Sequence, residues 1–171
     1  MSITIEKLQK EMEYLKTHII EIGILGDGKS VTGKYGGSKK EITVLEYGTY
    51  LEFGTSKMQP FGYFRRAINE NSDSINLQVN STVNDVMSGK ITGKQGYMQL
   101  GEYIRGLIIQ NIASAGGWAR ALTPNYKKWK AKKYPNRTEQ TLILDGFLIK
   151  SIRYRIKKGN TIEYTSDWAN I

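Results

Sequence analysis

The sequence predicts an α+β fold: a small antiparallel sheet, built from an N-terminal strand and a C-terminal hairpin, packed with several helices. Three observations carry this. Apolar residues recur at +3 and +4 spacing over three long stretches. Ile20, Ile22 and Ile24 alternate with Glu21 and Gly23, the period of a strand. Ile152, Tyr154 and Ile156, then Ile162 and Tyr164, alternate on either side of Gly159-Asn160, a strong tight-turn signal.

Taken in order, Ile5, Leu8, Met12, Leu15 and Ile19 mark an amphipathic helix from about Ile3 to Thr17, followed by the strand at Ile20–Ile24. Glycines crowd the segment from Gly26 to Lys40 and predict a flexible loop there. Ile42–Phe53 is ambiguous: Val44, Tyr47 and Leu51 fit a helix, while its β-branched and aromatic content suits a strand. Phe61, Phe64, Ile68, Ser72, Ile75, Val79, Val83 and Val86 predict one long helix or a kinked pair, with the bend at Asn71-Ser72-Asp73-Ser74. Leu100, Ile104, Leu107, Ile108 and Asn111 mark a helix over Gln95–Ala115, stopped by Gly116-Gly117. Thr123-Pro124 reads as an N-cap and N1 proline opening a basic helix to about Lys133.

With 171 residues the chain reads as one domain, residues 1–171, large enough to bury roughly 70% of its unfolded surface. It has no cysteine and one histidine, His18, which excludes disulfides, thiolate chemistry and any multi-histidine metal site. No apolar run is long enough to span a bilayer. Glu6, Glu11 and Glu13 are unlike the basic start of a signal peptide, so a cytoplasmic product is expected. The net charge of +9 is one-sided. Residues 120–158 hold 12 Lys or Arg against 2 acidic residues, and the rest of the chain is close to neutral. Such a segment is a solvated helix face, a docking surface for an acidic protein, or a DNA contact. Its core is Lys127, Lys128, Lys130, Lys132 and Lys133, expected to point outward while Tyr126 and Trp129 anchor the helix.

The most informative stretch runs from Tyr47 to Ile68. An aromatic-rich element ends at Glu52-Phe53-Gly54-Thr55, a short polar loop follows, and Pro60 opens a new element with Phe61, Phe64 and Arg65-Arg66. Gly54 suits a position with φ > 0, and Pro60 suits a first helical turn. Leu51, Phe53, Phe61 and Phe64 are expected in the core or at a subunit interface. Downstream come Leu122-Thr123-Pro124 with its basic helix, and Leu142-Ile143-Leu144-Asp145-Gly146-Phe147-Leu148-Ile149-Lys150-Ser151-Ile152. These three blocks, in this order, resemble the tail-completion and neck proteins of long-tailed bacteriophages. The family more often has a further Pro or Arg where Gly62 and Tyr63 stand, and a Thr between the residues matching Asp145 and Gly146.

The resemblance implies a virion structural protein at the head–tail junction, assembled in the host cytoplasm. It implies a ring, commonly of six copies, that needs no cofactor and meets the head connector or adaptor on one side and the tail tube or tail terminator on the other. Tail terminator and head-closure proteins are the nearest alternatives. A ring around the DNA channel also allows non-specific contact with packaged DNA. The residues it singles out are Glu52, Phe53, Gly54, Thr55, Pro60, Phe61, Phe64, Arg65, Arg66, Asp145 and Gly146, with the loops at 26–41 and 55–60 as flexible contact arms.

Enzymatic readings are weaker. Gly23-Ile24-Leu25-Gly26-Asp27-Gly28-Lys29-Ser30 satisfies the P-loop pattern after a strand, and Leu142–Asp145 could pose as its Mg²⁺-binding carboxylate strand. A phosphate site there needs a helix starting at Lys29-Ser30. Gly33, Gly36 and Gly37 make that helix improbable. Glu52 is expected to cap or pair locally rather than act as a base, and Asp145 to belong to a turn. His18, beside Ile19-Ile20, reads as a strand-edge or core-margin histidine. Trp118, Trp129 and Trp168 read as core or contact residues before they read as base-stacking platforms. A nucleic-acid-binding module is the rival of a different class, and a nucleotide hydrolase the least favoured reading.

Overall fold

The computed structural model describes residues 4–25, 32–33, 42–137, 141–142 and 146–168. Its architecture is α+β, as the periodicities predict. Helix α1 (Ile5–Thr17) starts at Thr4, whose hydroxyl accepts from the Lys7 amide, and runs without a loop into β1 (His18–Ile24). Short strands β2 (Thr32–Gly33) and β3 (Ile42–Thr43) pair with each other. The ambiguity over 42–53 resolves both ways: Ile42 and Thr43 are extended, and Val44–Phe53 is helix α2. Thr43 and Glu46 form a reciprocal capping box at that junction, which fixes where the helix begins.

Helices α3 (Tyr63–Glu70) and α4 (Ser72–Met87) are the kinked pair, broken at Asn71. The Asn71 side-chain amide donates to the Ala67 carbonyl, competing locally with the helix ladder. Helix α5 (Gly93–Ala113) also opens with a capping box, Thr92 with Gln95. It stops at Ser114, before the predicted glycines, which lie inside the short helix α6 (Ala115–Trp118). Helix α7 (Pro124–Lys133) has the predicted Thr123 cap and N1 proline, and a 3₁₀ turn at Pro135–Arg137 follows it. Helix α8 (Phe147–Lys150) leads into β4 (Ile152–Lys158), which turns at Gly159-Asn160 into β5 (Thr161–Thr165).

The main sheet has the order β1-β4-β5, all antiparallel. Register runs from His18 opposite Lys158 to Ile24 opposite Ile152. One face of β4 buries Ile152, Tyr154 and Ile156, and α5 packs against this strand. Close approach needs Gly101: a Cβ there would stand 2.4 Å from the Tyr154 ring. On the other face Glu21 accepts from Arg155 Nε at 2.6 Å and from Lys157 Nζ at 3.0 Å. The Lys157 and Arg155 hydrogen bonds hold the Glu21 carboxyl below its ordinary range. The core joins Leu51 of α2, Tyr63 and Ala67 of α3, Ile108 and Ile112 of α5, and Ile152 of β4. No helix of the described residues is long and apolar enough to cross a membrane.

Candidate functional site

Residues 52–66 fold into a clasp between α2 and α3. Helix α2 ends at Gly54, at φ 79° and ψ −174°, whose amide donates to the Tyr50 carbonyl. A Cβ at Gly54 would lie 2.6 Å from the Met58 carbonyl oxygen and 2.8 Å from Pro60 N, so no other residue fits without moving backbone. The 55–60 segment, predicted to be a flexible loop, is a hydrogen-bonded turn: Thr55 N donates to Met58 O at 2.8 Å, and Met58 N to Thr55 O at 3.2 Å. Phe61 N then donates back to Leu51 O at 2.8 Å. Pro60 therefore stands before α3 rather than in its first turn; Gly62, left-handed at φ 64°, holds the N-cap position.

Glycine has no side chain with which to cap, and Glu52 supplies the cap from the preceding helix. One carboxylate oxygen accepts from Phe64 N at 2.8 Å; the other accepts from Arg65 N at 3.2 Å and Arg65 Nε at 2.9 Å. Arg65 also donates to the Glu52 carbonyl at 3.1 Å. Glu52 is only 6% exposed. Its charge is stabilised there by two helix-terminal amides, the positive end of the helix dipole and a guanidinium. Burial pushes the neighbouring Tyr63 hydroxyl well above its ordinary pKa, and the Glu52 charge adds to the shift. Tyr63 is thus a neutral core group. The expectation that Glu52 caps or pairs locally matches this geometry.

Beside the clasp three arginines lie over aromatic rings. Arg65 stands 5.4 Å from the Phe53 ring centre, Arg66 4.8 Å from that of Trp118, and Arg120 4.4 Å from that of Phe61. Arg66 and Arg120 line one polar cavity of about 280 Å³, together with Gln59, Pro60, Phe61 and Trp118. Arg120 donates to the Gln59 carbonyl at 2.8 Å, and Arg66 pairs with Glu70 at 2.6 Å. Buried Asn111 of α5 anchors Trp118 and the start of α3: its side-chain amide donates to Tyr63 O at 2.6 Å, while its backbone carbonyl accepts from Trp118 Nε1 at 3.0 Å. A second, apolar cavity of about 210 Å³ lies between α2 and α3, lined by Leu45, Thr49, Phe53 and Phe64.

The predicted residues separate in three ways. Leu51 is buried and Phe61 and Phe64 are half-buried, but Phe53 is 66% exposed and is not a core residue of the single chain. It sits in the last turn of α2, on the side away from Leu51, under Arg65. Lys130, expected to point outward, is 1% exposed. Tyr126 and Lys130, four residues apart, share the inner face of α7, and the long aliphatic stem of lysine tolerates burial. Trp129 is turned outward instead, 41% exposed, with Tyr126 and Tyr134 at 5.3 and 6.3 Å and Lys133 near both Trp129 and Tyr134. Lys128, Lys132 and Lys133 are exposed and Lys127 is half-buried. Gly146 is the left-handed N-cap of α8, at φ 85°. Ile143, Leu144 and Asp145, the 26–30 part of the P-loop match, and the 26–31 and 34–41 parts of the glycine-rich loop lie outside the described residues; Leu142 is in a turn.

The sequence does not single out Arg105, whose guanidinium is buried on α5 and donates to Ile152 O at 2.9 Å and Asp167 O at 3.1 Å, with Glu102 beside it. His18 is buried and stacks on Tyr14, with Nε2 3.0 Å from Glu163, so it joins α1 to β5 at the margin of the core. Among the described residues no group of three or more His, Cys, Asp or Glu could hold a metal ion. The comparisons with known proteins found no matching family model, no matching curated protein and no matching solved structure.

Proposed function

We propose that this chain is a structural subunit of a tailed bacteriophage, of the tail-completion or neck type, that joins the head connector to the tail as a ring. The observation that carries the reading is spatial. The first and last of the blocks that resemble the family, far apart in sequence, meet in the fold. Leu51 and Tyr63 from the first block share one core with Leu142, Leu148 and Ile149 from the last. Arg120, just before the middle block, bonds to Gln59 of the first. Shared burial of this kind supports a structural role for these segments. The exposed Phe53, Leu45 and Tyr50 of α2 supply apolar surface of the kind a neighbouring copy covers. A closed ring needs such a patch to meet a different patch on the next copy. Copy number six, the head-side and tail-side neighbours, and location in the virion are parts of this proposal, as is the absence of an enzymatic role. Electron microscopy of the concentrated protein tests it: rings with a central opening are expected, and monomers at every concentration, alone and with head or tail preparations, would remove it.

A second reading, a nucleic-acid-binding module, is favoured by one feature. Trp129 is exposed on α7 among Lys128, Lys132 and Lys133, the combination that stacks a base and holds its phosphate. DNA binding by the monomer that weakens steeply with salt would support this reading over the first.

A further inference from the structure

We propose that the cavity lined by Arg66 and Arg120 is a carboxylate-binding pocket that grips an acidic side chain of a partner protein segment. The inference stands apart from the phage reading, because it concerns what the cavity binds and not what the subunit builds.

The argument begins with charge. Two guanidinium groups line one cavity, and the single carboxylate that pairs with either is Glu70, on Arg66, among the described residues. One positive charge is left over at a surface recess of about 280 Å³, room enough for a Glu or Asp side chain. Both guanidinium groups stand over rings, Arg66 at 4.8 Å from the Trp118 ring centre and Arg120 at 4.4 Å from that of Phe61. The ring contact holds each guanidinium at the cavity wall and leaves N–H groups for binding. That preorganisation lowers the entropy lost when a planar carboxylate is gripped. Neither fork is spent. Arg120 makes one bond, to a backbone carbonyl. Arg66 Nε is buried and has no hydrogen-bond acceptor. A carboxylate drawn between the two arginines gives that N–H an acceptor once the Arg66 guanidinium shifts over the Trp118 ring without leaving it.

A carboxylate fits better than a phosphate. A phosphate monoester brings nearly two negative charges next to Glu70, one more than the site leaves unbalanced. A nucleic-acid phosphodiester carries one charge but comes with bases, and Phe61 and Trp118 already have a ring face covered by an arginine. Among the described residues the exposed aromatics Tyr50 and Phe53 of α2 and Trp129 of α7 lie on other elements.

The test uses the full chain and a fluorescein-labelled octa-glutamate peptide, read by anisotropy, with octa-glutamine, inorganic phosphate and oligo-dT as the other probes. The pocket predicts binding of octa-glutamate and not octa-glutamine. R66K/R120K keeps both charges but removes both forks, and should weaken binding about tenfold or more. K128Q/K132Q removes two charges from α7 and should change it by less than about threefold. Glu70 is exposed, so E70Q leaves the fold intact; it frees Arg66 and should tighten binding, which gives a readout even if R66K/R120K fails to fold. Equal binding by R66K/R120K, loss of binding in K128Q/K132Q, or no gain in E70Q would each overturn the proposal. So would competition by millimolar phosphate or by oligo-dT stronger than that of unlabelled octa-glutamate.

Discussion

The α2–α3 clasp and helix α7 are both rich in charge and aromatic rings, and they use them in opposite ways. The clasp buries a carboxylate and commits both of its oxygens to one helix terminus and one arginine. Its rings are roofed by guanidinium groups. Helix α7 exposes Trp129 and three lysines, and among the described residues its main neighbour is the 3₁₀ turn that follows it. Residues whose polar groups are mutually satisfied define a shape. Residues left facing solvent make no net contribution to the fold and are free to meet a partner.

The largest loss should come from Gly54→Ala. The left-handed backbone and the 2.6 Å approach to the Met58 carbonyl act together, so the expected destabilisation is roughly 2–5 kcal/mol in urea unfolding. A loss below about 0.5 kcal/mol would mean that the turn relaxes freely and that the clasp is not a rigid unit.

Glu52 comes next. Glu52→Ala leaves two amides at a buried helix start without an acceptor and should cost about 2–3 kcal/mol. Glu52→Gln keeps one acceptor oxygen and the side-chain volume, so it should cost about half as much. Arg65 contributes little to either value, because its side chain is 58% exposed and solvent screens the pair. If the two substitutions prove equal, the charge on Glu52 and not its pair of oxygens is what matters.

These two positions also show how far a sequence can be read. Gly54 is local turn chemistry, and a glycine between an aromatic element and a proline announces itself. A capping or pairing role for Glu52 is legible, but its partners lie 12 and 13 residues on, beyond a turn whose geometry spacing does not fix. The Thr123 cap, the Asn71 break and the C-terminal hairpin are equally local, and their reading matches the fold. The inward face of α7 departs from expectation because a helix of Tyr, Trp, Lys and Ala has almost no amphipathic contrast to follow. Arg105 is hidden between Ile104 and Leu107, since a charge within an apolar stripe does not reveal which carbonyls wait for it. The cavity arginines come from two segments 54 residues apart in the chain, and only the fold brings Arg66 and Arg120 together.

Phe53→Ala separates folding from assembly. The ring is mostly exposed, so the single chain should lose no more than about 0.5–1 kcal/mol, mostly from the stacking of Arg65 on it. If α2 presents the patch that a neighbouring copy covers, the same change should abolish higher oligomers in analytical ultracentrifugation. A stable variant that still assembles normally would move the interface elsewhere.

The smallest effect on stability is expected from Lys128→Glu/Lys132→Glu. Both side chains are exposed, and the lysines around them repel, so the change should fall within about 0.5 kcal/mol of neutral or be slightly stabilising. Its effect on association is where α7 declares itself. If the helix docks on an acidic neighbour, reversing two charges should block joining of heads to tails while rings still form. The defect should be greatest at low salt, where long-range attraction is least screened. If the helix binds DNA, the salt slope of that binding should fall by about two, one for each phosphate that no longer meets a lysine. Normal joining together with an unchanged salt slope would assign these lysines to solvation alone. Trp129→Ala then decides between the first two outcomes: stacking on bases makes it cost about 1–3 kcal/mol of single-strand binding, whereas docking through the lysines leaves single-strand binding as it was.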